Sequence, residues 1–176
     1  GVCMHSDLGC LGTVLNYAGY DRQIKILKGM GVNAIRTSHN PPAPEFLTAC
    51  ERNGMLVMDE AFDCWEKQKN TNDYHSYFNE WAQRDIQTMV DRDKNSPSVI
   101  IWSIGNEIEE VFTDNSKGVE IAKKLKDWVE EIDKTRPITN GVATWAGVRN
   151  ITNEINDLMD VQGYNYGEYE YSKAHL

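Results

Sequence analysis

The run Trp102-Ser103-Ile104-Gly105-Asn106-Glu107 places an amide beside a carboxyl where an apolar strand runs out into a glycine. That pairing suits the cleavage of a glycosidic bond. The leaving oxygen is a poor leaving group, so a carboxylic acid must protonate it, while a second carboxylate stabilises or traps the oxocarbenium-like centre. The acid needs a raised pKa, which a partly buried strand end supplies. Asn106 has the donors and the acceptor to hold a sugar hydroxyl. Position alone leaves a second reading open, in which Glu107 is a loop glutamate capping the next helix.

Another polar group follows an earlier strand, in Asn33-Ala34-Ile35-Arg36-Thr37-Ser38-His39-Asn40-Pro41-Pro42. An arginine inside a sheet must pair with carboxylates. Arg36 is therefore expected either to hold Glu107 or Asp59 in place or to contact a ligand. A lone histidine such as His39 serves structure more often than chemistry. Aromatic residues gather where strands end, with Trp65, Trp145, Tyr164, Tyr166, Tyr169 and Tyr171 as candidates to stack on the apolar faces of sugar rings. Trp81 and Trp128 lie at helical spacing on apolar faces and are assigned to packing. The histidines are scattered, and Asp59, Glu60 and Asp63 would need further oxygen ligands to hold a hard cation, so no metal and no cofactor is expected.

These side chains need a scaffold, and the pattern around them is an alternation of short apolar strands and amphipathic helices. Strands are read at residues 1–5, 33–36, 55–58, 98–102, 138–142 and 161–164. Helices are read at about 21–30, from Pro44 to near Gly54, at about 77–93, from a Ser116 cap to about Ile132, and at about 153–159. Strands without apolar–polar alternation, separated by helices, imply a parallel sheet covered on both faces. No phosphate-binding glycine motif follows the first strand. Polar residues instead recur at the carboxyl ends of strands: His5 and Asp7, Arg36 and His39, Asp59 and Glu60, Asn106 and Glu107, then Tyr166. That is the arrangement of a (β/α)8 barrel, whose sites form at that end. The fold class is thus α/β, a TIM barrel read through about six strands of one domain.

Composition excludes several classes. A chain of 176 residues with 40% apolar and 26% charged residues is ordinary globular usage. The net charge of −9 argues against nucleic acid as a partner. No run is long and apolar enough to span a membrane, and the first residues carry no signal-peptide pattern. The cysteines Cys3, Cys10, Cys50 and Cys64 form no metal or redox motif and are expected to be reduced and mostly buried.

The segments NAIRTSHNPPAPEFLTACERNGMLVMDE, residues 33–60, and DKNSPSVIIWSIGNE, residues 93–107, resemble the signatures of glycoside hydrolase family 2, with weaker echoes at GVCMHSD and DVQGYNYGE. The family includes β-galactosidases, β-glucuronidases and β-mannosidases. The resemblance implies that Glu107 is the acid/base and that Asn106 touches the sugar 2-hydroxyl. It further implies that His39 and His5 contact the sugar, that Tyr166 stands beside the nucleophile, and that Arg36 organises the carboxylates. Asn40 in place of the commoner tyrosine is most similar to bacterial β-galactosidase-type members.

Two departures from the family pattern qualify this. Some members hold magnesium through a glutamate and a histidine after the third strand, where this chain reads Asp63-Cys64-Trp65-Glu66 without a histidine. The family's nucleophile belongs at the end of a seventh strand, and Glu168 and Glu170 lie in the loop before it. The expectation is therefore an excerpt of a larger enzyme, lacking strands seven and eight and the family's N-terminal β-sandwich domains. Such an excerpt is expected to be inactive alone and to self-associate through open barrel edges. The parent would be a retaining exo-β-glycosidase acting on β-galactosides, with β-glucuronidase or β-mannosidase as alternatives. The reading of another class is a non-catalytic sugar-binding or scaffold fragment.

Overall fold

The computed structural model describes residues 1–143 and 154–168. The candidate aromatics Trp145, Tyr169 and Tyr171, and Glu170, lie outside the described residues. Six parallel strands pair in chain order: β1 (Val2–His5), β2 (Ala34–Ser38), β3 (Leu56–Glu60), β4 (Val99–Asn106), β5 (Ile138–Ala143) and β6 (Gly163–Asn165). Between them run α1 (Tyr17–Gly29), α2 (Pro44–Asn53), α3 (His75–Asp93), α4 (Glu110–Thr113), α5 (Asn115–Glu130) and α6 (Glu154–Leu158). Sequential parallel order with helical crossovers is the topology of a (β/α)8 barrel.

The sheet is curled. Arg36 on β2 and Asn165 on β6 are four strands apart, which in a flat sheet means roughly 19 Å. Their side chains nevertheless meet in a 3.2 Å hydrogen bond. Gly141 lies where they meet. A side chain there would come within 2.5 Å of the Arg36 guanidinium and 3.1 Å of the Asn165 amide oxygen. At Gly163, a Cβ would collide with the Asn140 carbonyl, so only glycine lets β6 close onto β5.

The outer faces of the strands and the inner faces of the helices form one apolar core containing Ile24, Ile35, Val57, Ile86, Val90, Val99, Trp102, Leu125 and Ile138. One polar inclusion below the barrel is Asp133, which accepts from the Trp102 indole at 3.0 Å, Arg136 at 2.6 Å and the Thr135 amide and hydroxyl at 2.8 and 2.6 Å. Burial opposes its charge, but these donors outweigh burial and bring its pKa down to about 2.

Several boundaries differ from those read in the sequence. α1 begins at Tyr17 rather than near Asp21, because the Asn16 side chain accepts from the Gly19 amide and caps the helix earlier. α5 is capped by Asp114, whose carboxylate accepts from the Lys117 amide, rather than by Ser116. β4 continues through Asn106, four residues beyond the apolar run, so the amide of the Asn-Glu pair is still part of the sheet. Of the four cysteines, all free, only Cys50 and Cys64 are buried; Cys3 and Cys10 are exposed.

Candidate active site

The carboxyl ends of the strands converge on one buried carboxylate, Glu60. It is fully buried at the end of β3. One oxygen accepts from Arg36 Nε at 2.8 Å and from the Ser103 hydroxyl at 2.5 Å, and the other faces His39 Nδ1 at 2.6 Å. Its backbone amide donates to the Thr37 hydroxyl at 2.9 Å. This corrects the expected pairing of Arg36 with Glu107 or Asp59. Strand alternation explains it: on β3 the side chain of Glu60 turns into the barrel and that of Asp59 turns out beneath α3. There, burial and the neighbouring Asp93 carboxylate push Asp59 well above the usual carboxylate range. Burial works against the Arg36 charge, and Glu60 more than offsets it.

Arg36 carries the network across the barrel. Its Nη2 donates to Asn106 Oδ1 at 2.8 Å and its Nη1 to Asn165 Oδ1 at 3.2 Å. Asn165 Nδ2 in turn donates to Asn106 Oδ1 at 2.9 Å and to Glu107 Oε1 at 2.8 Å. Ser103 and Asn106 both face the interior although three residues apart, a spacing that strict alternation would divide between faces. An irregularity of register between them restores Asn106 to the inside.

Glu107 is half-buried, and its backbone lies in the left-handed region at φ 49°. Tyr166 is 62% exposed with φ 57°. Residues with side chains pay for that backbone only where the surroundings fix it, and such positions gather at functional sites. The Tyr166 hydroxyl is hydrogen-bonded to Glu107, and that carboxylate raises its pKa above the ordinary tyrosine value. His5, exposed at the end of β1, meets His39 edge-on with ring centroids 5.3 Å apart. The peptide between Ser38 and His39 is cis.

The structure thus brings all six sequence-derived candidates together, namely Glu107, Asn106, Arg36, His39, His5 and Tyr166. Of the hubs, Glu60 reads in the sequence only as a strand-end carboxylate short of cation ligands, and Asn165 is not singled out. Trp65 does not line the mouth as expected. It is wholly buried, with its indole donating to the Ile104 carbonyl at 2.9 Å. Half-buried Trp81 lies under the Arg84 guanidinium, 4.0 Å from its ring centre, while Trp128 packs against the core.

The loop after β3 does not fit a magnesium ion. Asp63 Oδ1 already accepts from the Lys69 ammonium and from Asn106 Nδ2, each at 2.9 Å. Burial opposes ionisation of Asp63, and those two donors hold its pKa below the usual value nonetheless. Glu66 is paired with Lys117 at 3.4 Å. Among the described residues no cluster of three histidine, cysteine or acidic side chains is disposed to hold a metal ion.

Residues 1–174 match the family description "Glycosyl hydrolases family 2, TIM barrel domain". A β-galactosidase of Bacteroides ovatus is 44% identical over 197 aligned residues, covering 94% of this chain and 23% of the relative. A solved family 2 glycosyl hydrolase from Bacteroides cellulosilyticus superposes with a TM-score of 0.88 at 41% identity, covering 98% of this chain and 22% of that one. A solved β-glucuronidase from Ruminococcus gnavus gives a TM-score of 0.78 at 29% identity over 96% of this chain and 30% of its own. The chain therefore spans less than a third of the length of each of these proteins.

Proposed function

The chain belongs to glycoside hydrolase family 2, and from that membership we propose that the protein is a retaining exo-β-glycosidase acting on terminal β-linked sugars, β-galactosides first among them. The observation that carries the reading is Glu107, half-buried at the barrel mouth, in a left-handed backbone, with Asn165 and Tyr166 on its carboxyl. In this reading Glu107 protonates the departing oxygen and then deprotonates the water that releases the sugar. Asn106 holds a sugar hydroxyl, His39 and His5 contact the ring, and Tyr166 stands beside the second carboxylate. Arg36 keeps Asn106 and Asn165 in register.

The order among sugars follows the sequence resemblance to β-galactosidase-type members, with which the described residues are consistent. A uronate needs a free cation, and among the described residues Arg36 is committed to Glu60 and Lys69 to Asp63. Comparing kcat/KM on aryl β-galactoside, β-glucuronide and β-mannoside tests the assignment. The galactoside is expected to lead, and a preference for the glucuronide would overturn it.

No residue described here is assigned as nucleophile. Glu60 is sealed by Arg36, Ser103 and His39, and Asp63 by Lys69 and Asn106. A retaining mechanism needs two carboxyls about 5–5.5 Å apart across the anomeric carbon. The 176 residues by themselves are accordingly expected to turn over an aryl β-galactoside at a rate several orders of magnitude below a complete site. Among the described residues β1 and β6 each pair on one side only, and such edges template self-association. Light scattering on the same sample is expected to show more than one copy. Robust turnover abolished by Glu107→Gln would contradict the inactivity.

Because the Lys69 ammonium already pairs with Asp63, treatment of the active protein with a chelator is expected to change its rate by less than about twofold. A large loss reversed by magnesium would show that the loop after β3 holds a metal ion after all.

A further inference from the structure

Lys69 lies in the loop between β3 and α3, and its side chain is only 14% exposed. Its Nζ has three oxygen neighbours: the Asp63 carbonyl at 2.9 Å, the Asp63 carboxylate at 2.9 Å and the Asn106 carbonyl at 3.0 Å. An ammonium has three donors, so this group is fully used inside the protein and has none left for a substrate. Its backbone is fixed as well. The Asp73 carboxylate, just before α3, accepts from the Lys69 amide at 2.8 Å and the Asn70 amide at 2.7 Å.

The third neighbour matters most. The Asn106 carbonyl belongs to the peptide that joins Asn106 to Glu107. The other side of that peptide, the Glu107 amide, donates to the Gly141 carbonyl at 2.6 Å. One peptide plane is therefore clamped from both sides, by β5 on its N–H and by Lys69 on its C=O. That plane sets the direction in which Glu107 leaves the strand, and Glu107 holds φ 49°, a backbone that only a fixed environment maintains.

We propose that Lys69 is a positioning residue for Glu107: an internal cation, seated on Asp63, that holds the Asn106–Glu107 peptide and aims the acid/base carboxyl. The inference rests on the assignment of Glu107 as acid/base. Lys69 acts through the Asn106 carbonyl and does not touch the sugar.

The test uses Lys69→Met and Lys69→Ala in the active protein, with kcat/KM measured on alkyl and dinitrophenyl β-glycosides. Misplacing a catalytic group by about 1 Å costs on the order of 10²-fold. Lys69→Met, which keeps the bulk of the stem, is expected to lose about that factor on the alkyl glycoside and much less on the dinitrophenyl one. Its KM should change little. Propylammonium is expected to restore Lys69→Ala at least tenfold, with no rescue by magnesium or by tetramethylammonium, which has no N–H donor. A loss-free Lys69→Met, or a loss equal on both substrates and unrescued in Lys69→Ala, overturns the proposal. Should Lys69→Ala fail to fold, the substrate dependence of Lys69→Met decides alone. Glu107→Gln is run alongside. If it shows the leaving-group dependence and Lys69→Met does not, only the role of Lys69 falls. If Glu107→Gln lacks it too, the assignment of Glu107 falls first.

Discussion

Glu107→Gln is expected to lower kcat/KM on alkyl β-glycosides or disaccharides by about 10² to 10⁴-fold, while kcat/KM on dinitrophenyl glycosides stays within about tenfold of the parent. The difference arises because kcat/KM reports the first step, in which the leaving group departs. A dinitrophenolate leaves without a proton, whereas an alkoxide does not. The second step needs Glu107 as base for every substrate, so kcat on the activated glycoside should fall and a burst of phenolate should precede the steady state. Asn165 and Tyr166 both bond the Glu107 carboxyl, and a glutamine keeps the shape and one oxygen for Asn165. Equal losses on both substrates would mean that Glu107 does something other than deliver a proton.

The second large effect is on stability. Glu60→Ala is expected to destabilise the protein by about 3–5 kcal/mol, because it leaves Arg36 as a buried charge without its partner. The side chain of Arg36 is 15% exposed and that of Glu60 is fully buried, so water cannot replace the lost carboxylate well. Ser103 and His39 lose their acceptor at the same time. Urea unfolding measures the change. Replacing both partners, Arg36→Met with Glu60→Gln, should recover part of the loss, since the uncompensated charge is then gone. A cost below about 1 kcal/mol for Glu60→Ala would show that the pair is not the structural centre of the site.

Much of this arrangement was legible in the sequence where one physical signal dominates. Continuous apolar runs gave the strands, Pro44 and Gly54 bounded α2, and polar residues at successive strand ends marked the mouth of a barrel. The family signatures then named Glu107, Asn106, Arg36, His39, His5 and Tyr166; five of them share one hydrogen-bond network, and His5 meets it edge-on at His39. The partners of those residues were less legible, because they depend on the third dimension. Alternation along β3 could have selected Glu60 over Asp59 as the partner of Arg36, had the inward register been known. The register irregularity in β4 that turns Asn106 inward leaves no mark in composition. Asn165 reaches Arg36 only because the sheet curls, and Lys69 reaches Asn106 from a polar loop that reads as solvated surface. Trp65 misled for the opposite reason: an aromatic after a strand looks like a cleft wall, but here its indole finds a backbone carbonyl in the core.

The most direct test of Glu107 as the acid/base of a retaining enzyme is azide rescue of Glu107→Ala in the active protein, with a dinitrophenyl β-glycoside as substrate. Without the carboxyl, the glycosyl-enzyme intermediate forms but water attacks it slowly. Azide needs no base and fits the space the side chain leaves. Azide is expected to accelerate turnover, and proton NMR of the product to show the β-glycosyl azide, with configuration retained. An α-glycosyl azide would make Glu107 the nucleophile, and no azide adduct with undiminished hydrolysis would remove it from the chemistry altogether.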